Sequence, residues 1–234
     1  MPSGRSVLFF PPDSRSSEEK RALIETLGPS RLAEMEQEGF QDFGFDYWDR
    51  PDAKAGYGGY RYDGRYRPVA ERMVEFYRLE PGERVLEVGC GKGFLLVEFL
   101  HLGLDVIGID LSEYAVANAH PELAGRILCA SVLDAPVPDD AFDLVLAKDS
   151  PPHLSESDVE LAVAACERFS RRSAFLEIEV ARTDHEAEML YRWDTTHRTR
   201  RPPEWWLELF DRVGYTGDWH FKVLVEDPAL GPID

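Results

Sequence analysis

The sequence predicts an α/β fold, a doubly wound and mostly parallel sheet preceded by a helical and aromatic extension. Three observations carry this. From residue 84 onward short apolar runs alternate with amphipathic stretches, the order of a parallel sheet covered on both faces. A glycine-rich turn follows the first apolar run, where a strand passes into a helix. Upstream, residues 40–66 hold nine of the 27 aromatics, interleaved with glycines, which argues against long regular elements there.

The elements follow in order. Ser16 and Glu19 have capping-box spacing ahead of Ala22, Leu23 and Leu27, which predicts a first helix. Pro29 opens a second through Leu32 and Met35, stopping at Gly39. After the aromatic stretch, Val69, Met73 and Phe76 lie on one face of a helix starting at Pro68. Residues 84–88 read as a strand, 93–102 as a buried helix and 105–109 as a second strand. Ser112 caps another helix, 126–129 forms a short third strand, and 142–147 an apolar fourth. Ser155 and Asp158 cap a helix with Val159, Ala162, Val163, Cys166 and Phe169 at helical spacing. Residues 175–180 make a fifth strand, and Pro203 opens a last helix that Gly214 ends. Residues 215–225 supply the final strand material. The expected division is an extension over 1–80 and a domain over 81–234, packed as one unit.

Composition bounds the function. The 234 residues are 44% hydrophobic, enough for a sizeable core without staples. A formal charge of −18 disfavours a nucleic-acid partner, because phosphate binding rests on clustered cations. No apolar run approaches the ~20 residues of a membrane span, and the amino end lacks the apolar core of a signal peptide. Cys90, Cys129 and Cys166 are odd in number and widely spaced, which fits reduced thiols in a cytoplasmic protein.

The chemistry concentrates in Glu87-Val88-Gly89-Cys90-Gly91-Lys92-Gly93. Glycines let the backbone turn sharply and approach a ligand, and the helix amino terminus adds free N–H groups. Asp110 ends the second strand 19 residues after Gly91, where a carboxylate can accept both ribose hydroxyls. Pro136-Val137-Pro138-Asp139-Asp140-Ala141-Phe142-Asp143 then leads into the fourth strand. In this order the motifs resemble those of class I S-adenosylmethionine-dependent methyltransferases, over about residues 84–225. The resemblance implies a Rossmann-like sheet with S-adenosyl-L-methionine as cofactor. It places Gly89, Cys90 and Gly91 under the methionine portion, with Glu87 organising the loop. It gives Asp110 the ribose diol, Leu111 the adenine face and Val132 a backbone N–H to an adenine nitrogen. Ser131 stands where the family often has an Asp for the adenine amino group, and Lys148 would offer its carbonyl to the cofactor's amino group.

The acceptor is expected beyond the fourth strand, at Lys148-Asp149-Ser150-Pro151-Pro152-His153-Leu154. Asp149 and His153 are the candidate catalytic residues for taking a proton from a hydroxyl or amine. The competing reading has His153 capping the next helix and Asp149 bonding backbone amides. Carboxylates at Asp149 and Asp184 are the places where some family members bind Mg²⁺, but a solvated acidic loop is preferred and no metal is assigned. In the family an N-terminal segment folds over cofactor and acceptor. Tyr57, Tyr60, Tyr62 and Arg65 are read as that lid, and Phe40, Phe43, Phe45 and Trp48 as an aromatic mini-core. The run from Trp193 to Arg201, with His197, is the chain's basic cluster and is read as facing an acceptor phosphate or carboxylate, or else as a solvated loop.

Together with Gly56–Arg65, Glu204-Trp205-Trp206 and Gly214–Asp218 look like a subset associated with bacterial polysaccharide, amino-sugar or natural-product pathways. The expected partner is a small-molecule acceptor, with no nucleic acid or membrane, and the expected state a monomer or homodimer. A protein or RNA methyltransferase, or a non-catalytic cofactor-binding module, are the alternatives. Family members commonly end in an antiparallel hairpin. Residues 215–225 leave room either for short strands or for one strand fewer, with the edge covered by the amino-terminal segment or a second subunit.

Overall fold

The computed structural model describes residues 4–11, 15–230 and 233; residues 1–3, part of the amino end read above, lie outside them. The sheet consists of β1 (Arg84–Val88), β2 (Asp105–Asp110), β3 (Ile127–Cys129), β4 (Phe142–Lys148), β5 (Ser170–Glu179) and β6 (Asp218–Lys222). Its order is β3-β2-β1-β4-β5-β6, and every neighbouring pair is parallel. The helices are α1 (Ser17–Met35), α2 (Glu38–Gln41), α3 (Phe45–Trp48), α4 (Arg67–Tyr77) and α5 (Phe94–His101), then α6 (Glu113–Ala117), α7 (Glu156–Phe169), α8 (Asp184–Trp193) and α9 (Pro203–Val213).

Strand pleating explains the two cores. Successive side chains point to opposite faces, so Leu86, Val145 and Ala147 join α7 and α9 in one cluster that includes Phe169, Trp206 and Phe210. Val85, Leu144 and Leu146 join α4 and α5 in the other, with Met73, Phe99 and Phe175. The strand order reverses between β1 and β4, which opens a crevice beyond their carboxyl ends.

The two expected N-terminal helices are both present, running together as α1 across a non-helical break at Gly28 (φ +37°) ahead of Pro29. The sequence reading and the structure differ at three places. β5 begins at Ser170, through an irregular register against Phe142–Leu144. Residues 184–193, read as a loop, form α8. Its signal was a capping pattern: Thr183 accepts the Glu186 N–H, and the Glu186 carboxylate returns to the Arg182 N–H. Finally, the sheet is parallel throughout the described residues, with β6 the last strand. Its open edge is met by the amino-terminal segment, where Val7 N–H donates to the Trp219 carbonyl (2.8 Å) and Trp219 N–H to that of Arg5 (3.1 Å).

The extension is fastened to the sheet domain. Ile24 on α1 packs with Met189 and Leu190 on α8 and with Leu224. Lys20 Nζ donates to the Leu224 carbonyl at 3.1 Å. Among the described residues no helix is long and apolar enough to cross a membrane.

Candidate functional site

The turn after β1 carries three glycines with positive φ: Gly89 (+72°), Gly91 (+53°) and Gly93 (+76°). Close approach adds to the requirement for glycine. A Cβ on Gly89 would stand 2.2 Å from that of Ser150, and one on Gly91 would stand 2.9 Å from the Trp48 ring. Gly89 N–H donates to the Ile109 carbonyl (2.8 Å), which joins the turn to β2. Asp110, at the end of β2, accepts from Gly91 N–H through Oδ2 (2.6 Å) and from Ser112 N–H through Oδ1 (2.8 Å). Burial raises its pKa while these two amides oppose the rise. A carboxylate has about four lone-pair positions, so acceptor capacity remains on Asp110.

Below the crevice lies a cavity of about 220 Å³. Gly89, Asp110, Leu111, Ser131, Val132 and Lys148 line it, and a smaller pocket beside it is lined by Glu87, Gly89, Cys90 and Gly91. The structure thus brings the nine residues read as cofactor-binding around one continuous turn. Burial pushes the Cys90 thiol well up and Glu87 up to about 8, the latter against the pull of Lys148.

The lid residues divide. Trp48 and Tyr57 are stacked, with centroids 5.0 Å apart at 12°, and both line the cavity. Tyr60 lies 4.7 Å from both Tyr57 and Phe94 and reaches the smaller pocket. Lys92 pins this ladder onto the glycine turn, its buried ammonium reaching Asp49 (2.6 Å) and the Tyr60 carbonyl (3.0 Å). Tyr62 and Arg65 do not line the cavity. Tyr62 donates to Glu98 (2.8 Å), and Arg65 is turned outward onto its neighbour Asp63. Trp48 packs in the expected mini-core with Phe40 and Tyr47 and is also a wall of the site.

At the acceptor end, Asp149 adopts φ +57° and buries its carboxylate. Oδ2 accepts from both Lys148 and Lys222. These two ammonium groups hold Asp149 far below the usual carboxylate range, against the effect of burial, so it is a fixed anion and not a proton acceptor. That corrects its reading as a catalytic base, and the backbone-amide alternative is not seen either. His153 lines the cavity in the short turn Pro151–His153 and caps nothing, since the cap of α7 is Ser155. Its Nδ1 lies 2.8 Å from Thr196 Oγ1, and its ring 4.3 Å from the His197 ring. Burial, with the His197 charge, lowers its pKa to about 4. His197 is buried against Glu179 (2.7 Å), which raises its pKa despite burial. His197 therefore acts behind His153 and not as a wall of the cavity.

Trp193 also stays out of the cavity, packing under the Arg31 guanidinium at 4.6 Å. Of the basic run, Arg198 lines the cavity. Arg200 sits over Tyr191, and Arg201 pairs with Glu156 at 2.7 Å. His153, Asp194 and His197 bring ligating atoms within 4.8 Å of one another. Thr196 and Glu179 already occupy these donors.

Comparison with known proteins decides what the glycine turn belongs to. Residues 86–178 match the family model described as a methyltransferase domain. That span is similar to a methyltransferase domain. Curated relatives align over less than half of this chain. A 24-methylenesterol C-methyltransferase 2 of Oryza sativa is 37% identical over 81 residues, which is 31% of this chain and 22% of that one. A ubiquinone biosynthesis O-methyltransferase of Nitrobacter winogradskyi is 38% identical over 90 residues, 36% of this chain and 33% of that one. The chain therefore spans about a fifth to a third of the length of these relatives. Among solved structures, YcgJ protein from Bacillus subtilis superposes with a TM-score of 0.52 at 22% identity, over 62% of this chain and 66% of that one. Phosphoethanolamine N-methyltransferase 2 of Haemonchus contortus, in complex with phosphomonomethylethanolamine and S-adenosylhomocysteine, gives 0.56 at 16% identity over 77% and 43%. These superpositions establish the shared Rossmann-like fold.

The matched span supplies the glycine turn, Asp110 and His153, but not the whole cavity. Phe43, Tyr47, Trp48 and Tyr57 enter from before the matched span, and Thr196 and Arg198 from after it. Sequence reading passed over Thr196 and Asp194. The one signal was Asp194-Thr195-Thr196 beside His197, which offers hydroxyls and a carboxylate next to an imidazole.

Proposed function

We propose that this chain transfers the methyl group of S-adenosylmethionine to a hydroxyl or amine of a small polar metabolite, of sugar-containing or natural-product type. The observation that carries the reading is the cavity itself. It lies at the β1–β4 switch point, with Asp110 on one wall and the half-buried His153 on another. The residues present fit the cofactor. Asp110 keeps acceptor capacity for a ribose diol, and Leu111 and Val132 offer apolar surface to an adenine. Glu87 Oε2 and Asp149 Oδ1 are buried without hydrogen-bond partners in the smaller pocket, where an ammonium group would satisfy them. The relatives' printed activities on sterols and ubiquinone precursors support a small-molecule acceptor.

The bound cofactor supplies an electrophilic methyl on a sulfonium. Everything else falls to the chain. Trp48 and Tyr57 cover the turn and exclude water, which matters because in-line displacement depends on alignment. His153, neutral at physiological pH, takes the proton that the acceptor loses. Arg198, at the cavity mouth, is placed to meet an anionic group on the acceptor.

The test uses methyl-labelled S-adenosylmethionine with cell extract, separated by size after reaction, and Asp110→Ala as control. Label is expected in the small-molecule fraction. The variant should bind S-adenosylhomocysteine about 100–10,000-fold more weakly, the loss of two hydrogen bonds to a charged group. Label confined to macromolecules would sink the small-metabolite reading.

A further inference from the structure

Thr196 has one hydroxyl hydrogen and two neighbours that bear on where it goes. Asp194 Oδ1 lies 2.6 Å from Thr196 Oγ1 and also accepts the Thr196 N–H at 2.9 Å. Opposite charges on His197 and hydrogen bonds from Thr196 hold Asp194 ionised in spite of its burial. An ionised carboxylate only accepts, so the hydroxyl hydrogen points to Asp194. Thr196 Oγ1 must then receive a hydrogen from its other neighbour, His153 Nδ1, at 2.8 Å. In a neutral imidazole with its hydrogen on Nδ1, the lone pair sits on Nε2.

We propose that Asp194 and Thr196 are positioning residues that fix His153 as the Nδ1–H tautomer, so that Nε2 is the atom that receives the acceptor's proton. The assignment of that proton rests on the methyl-transfer reading of the cavity. The balance is complete without a further reactant. The acceptor's oxygen or nitrogen forms a bond to the methyl carbon as the carbon–sulfur bond breaks, and its hydrogen passes to Nε2. The sulfonium charge is cancelled as a thioether forms, and the positive charge now rests on the His153 imidazolium. Through Nδ1–H and Thr196, Asp194 lies opposite that new charge. Tyr47 Oη, which donates to Asp194 Oδ2 at 3.1 Å, holds the far end of the relay. His197, paired with Glu179, lies with its ring centroid 4.3 Å from that of His153, where its charge opposes protonation of the resting imidazole. Without the hydroxyl, nothing in the described network prefers Nδ1–H over Nε2–H.

The experiment reads the tautomer directly. The full chain labelled with ¹⁵N-histidine is followed by long-range proton–nitrogen correlation between pH 6 and 8, with His153→Gln to assign the resonance among the six histidines. In the wild-type protein His153 is expected to show a protonated Nδ1 and a bare Nε2. Thr196→Ser should keep that pattern, and Thr196→Val should lose it for Nε2–H or a mixture. Nε2–H in the wild-type protein overturns the proposal without any variant having to fold. An unchanged pattern in a folded Thr196→Val protein overturns it as well. Calorimetry with S-adenosylhomocysteine on the same samples separates the two readings. Absent binding with the Nδ1–H tautomer in place would overturn methyl transfer alone.

Discussion

Glu87 ends in a buried pocket with one carboxylate oxygen unpartnered, and burial lifts its pKa to about 8. The unfolded chain titrates the same group near the ordinary glutamate value of 4.5. Between those values the folded state binds more protons, so its stability falls as pH rises through that window. Glu87→Gln should remove this slope and stabilise the ligand-free protein at pH 8 by on the order of 3 kcal/mol. Urea unfolding at pH 5 and pH 8 measures it, and equal midpoints for the two proteins at pH 8 would refute it. His153 acts with the opposite sign. Its pKa is depressed, so its contribution is lost as pH falls from about 6.5 towards 4. At this scale Asp110 was legible, because strand-end carboxylate and glycine turn are linked by a fixed spacing in one short segment. The partners of His153 were not. Thr196 and Asp194 lie 43 and 41 residues beyond it, and only folding brings them to the ring.

Among the elements, the strands were the easiest to read, since a sheet buried on both faces demands continuous apolar runs such as Leu144–Ala147 within β4. α8 was hidden because its polar face is wide and its buried face rests on few residues, Met189 and Leu190 among them. Its cap is correspondingly important. Thr183→Ala removes the acceptor for Glu186 N–H and should cost about 1 kcal/mol. The loss should show in denaturant unfolding, with the helix frayed by hydrogen exchange at residues 184–187. The aromatic segment was read correctly as short and glycine-broken, but its division into lid and core was not. Tyr62 and Arg65 carry the same local signal as Tyr57 and Tyr60. Which of them faces the turn is set by Lys92 gripping Asp49 and the Tyr60 carbonyl, a contact across more than 30 residues.

On the scale of the molecule, the outer edge of β6 is met by residues 5–7. Removing residues 1–7 would free the Trp219 N–H and carbonyl and should speed amide exchange along β6 relative to β4. Concentration-dependent association in sedimentation would show the bared edge seeking another strand; exchange unchanged in β6 would show that the pairing does not protect it. The absence of an antiparallel partner at this edge could not be read beforehand, because residues 215–225 have the length and polarity for either arrangement. The cavity is built from two kinds of segment. The span matching the family model supplies the glycine turn, Asp110 and His153, while Phe43, Tyr47, Trp48, Tyr57, Thr196 and Arg198 come from outside it. Under the proposed function, substitutions at Phe43 or Arg198 would retune which metabolite fits while leaving the turn that grips the methyl donor intact.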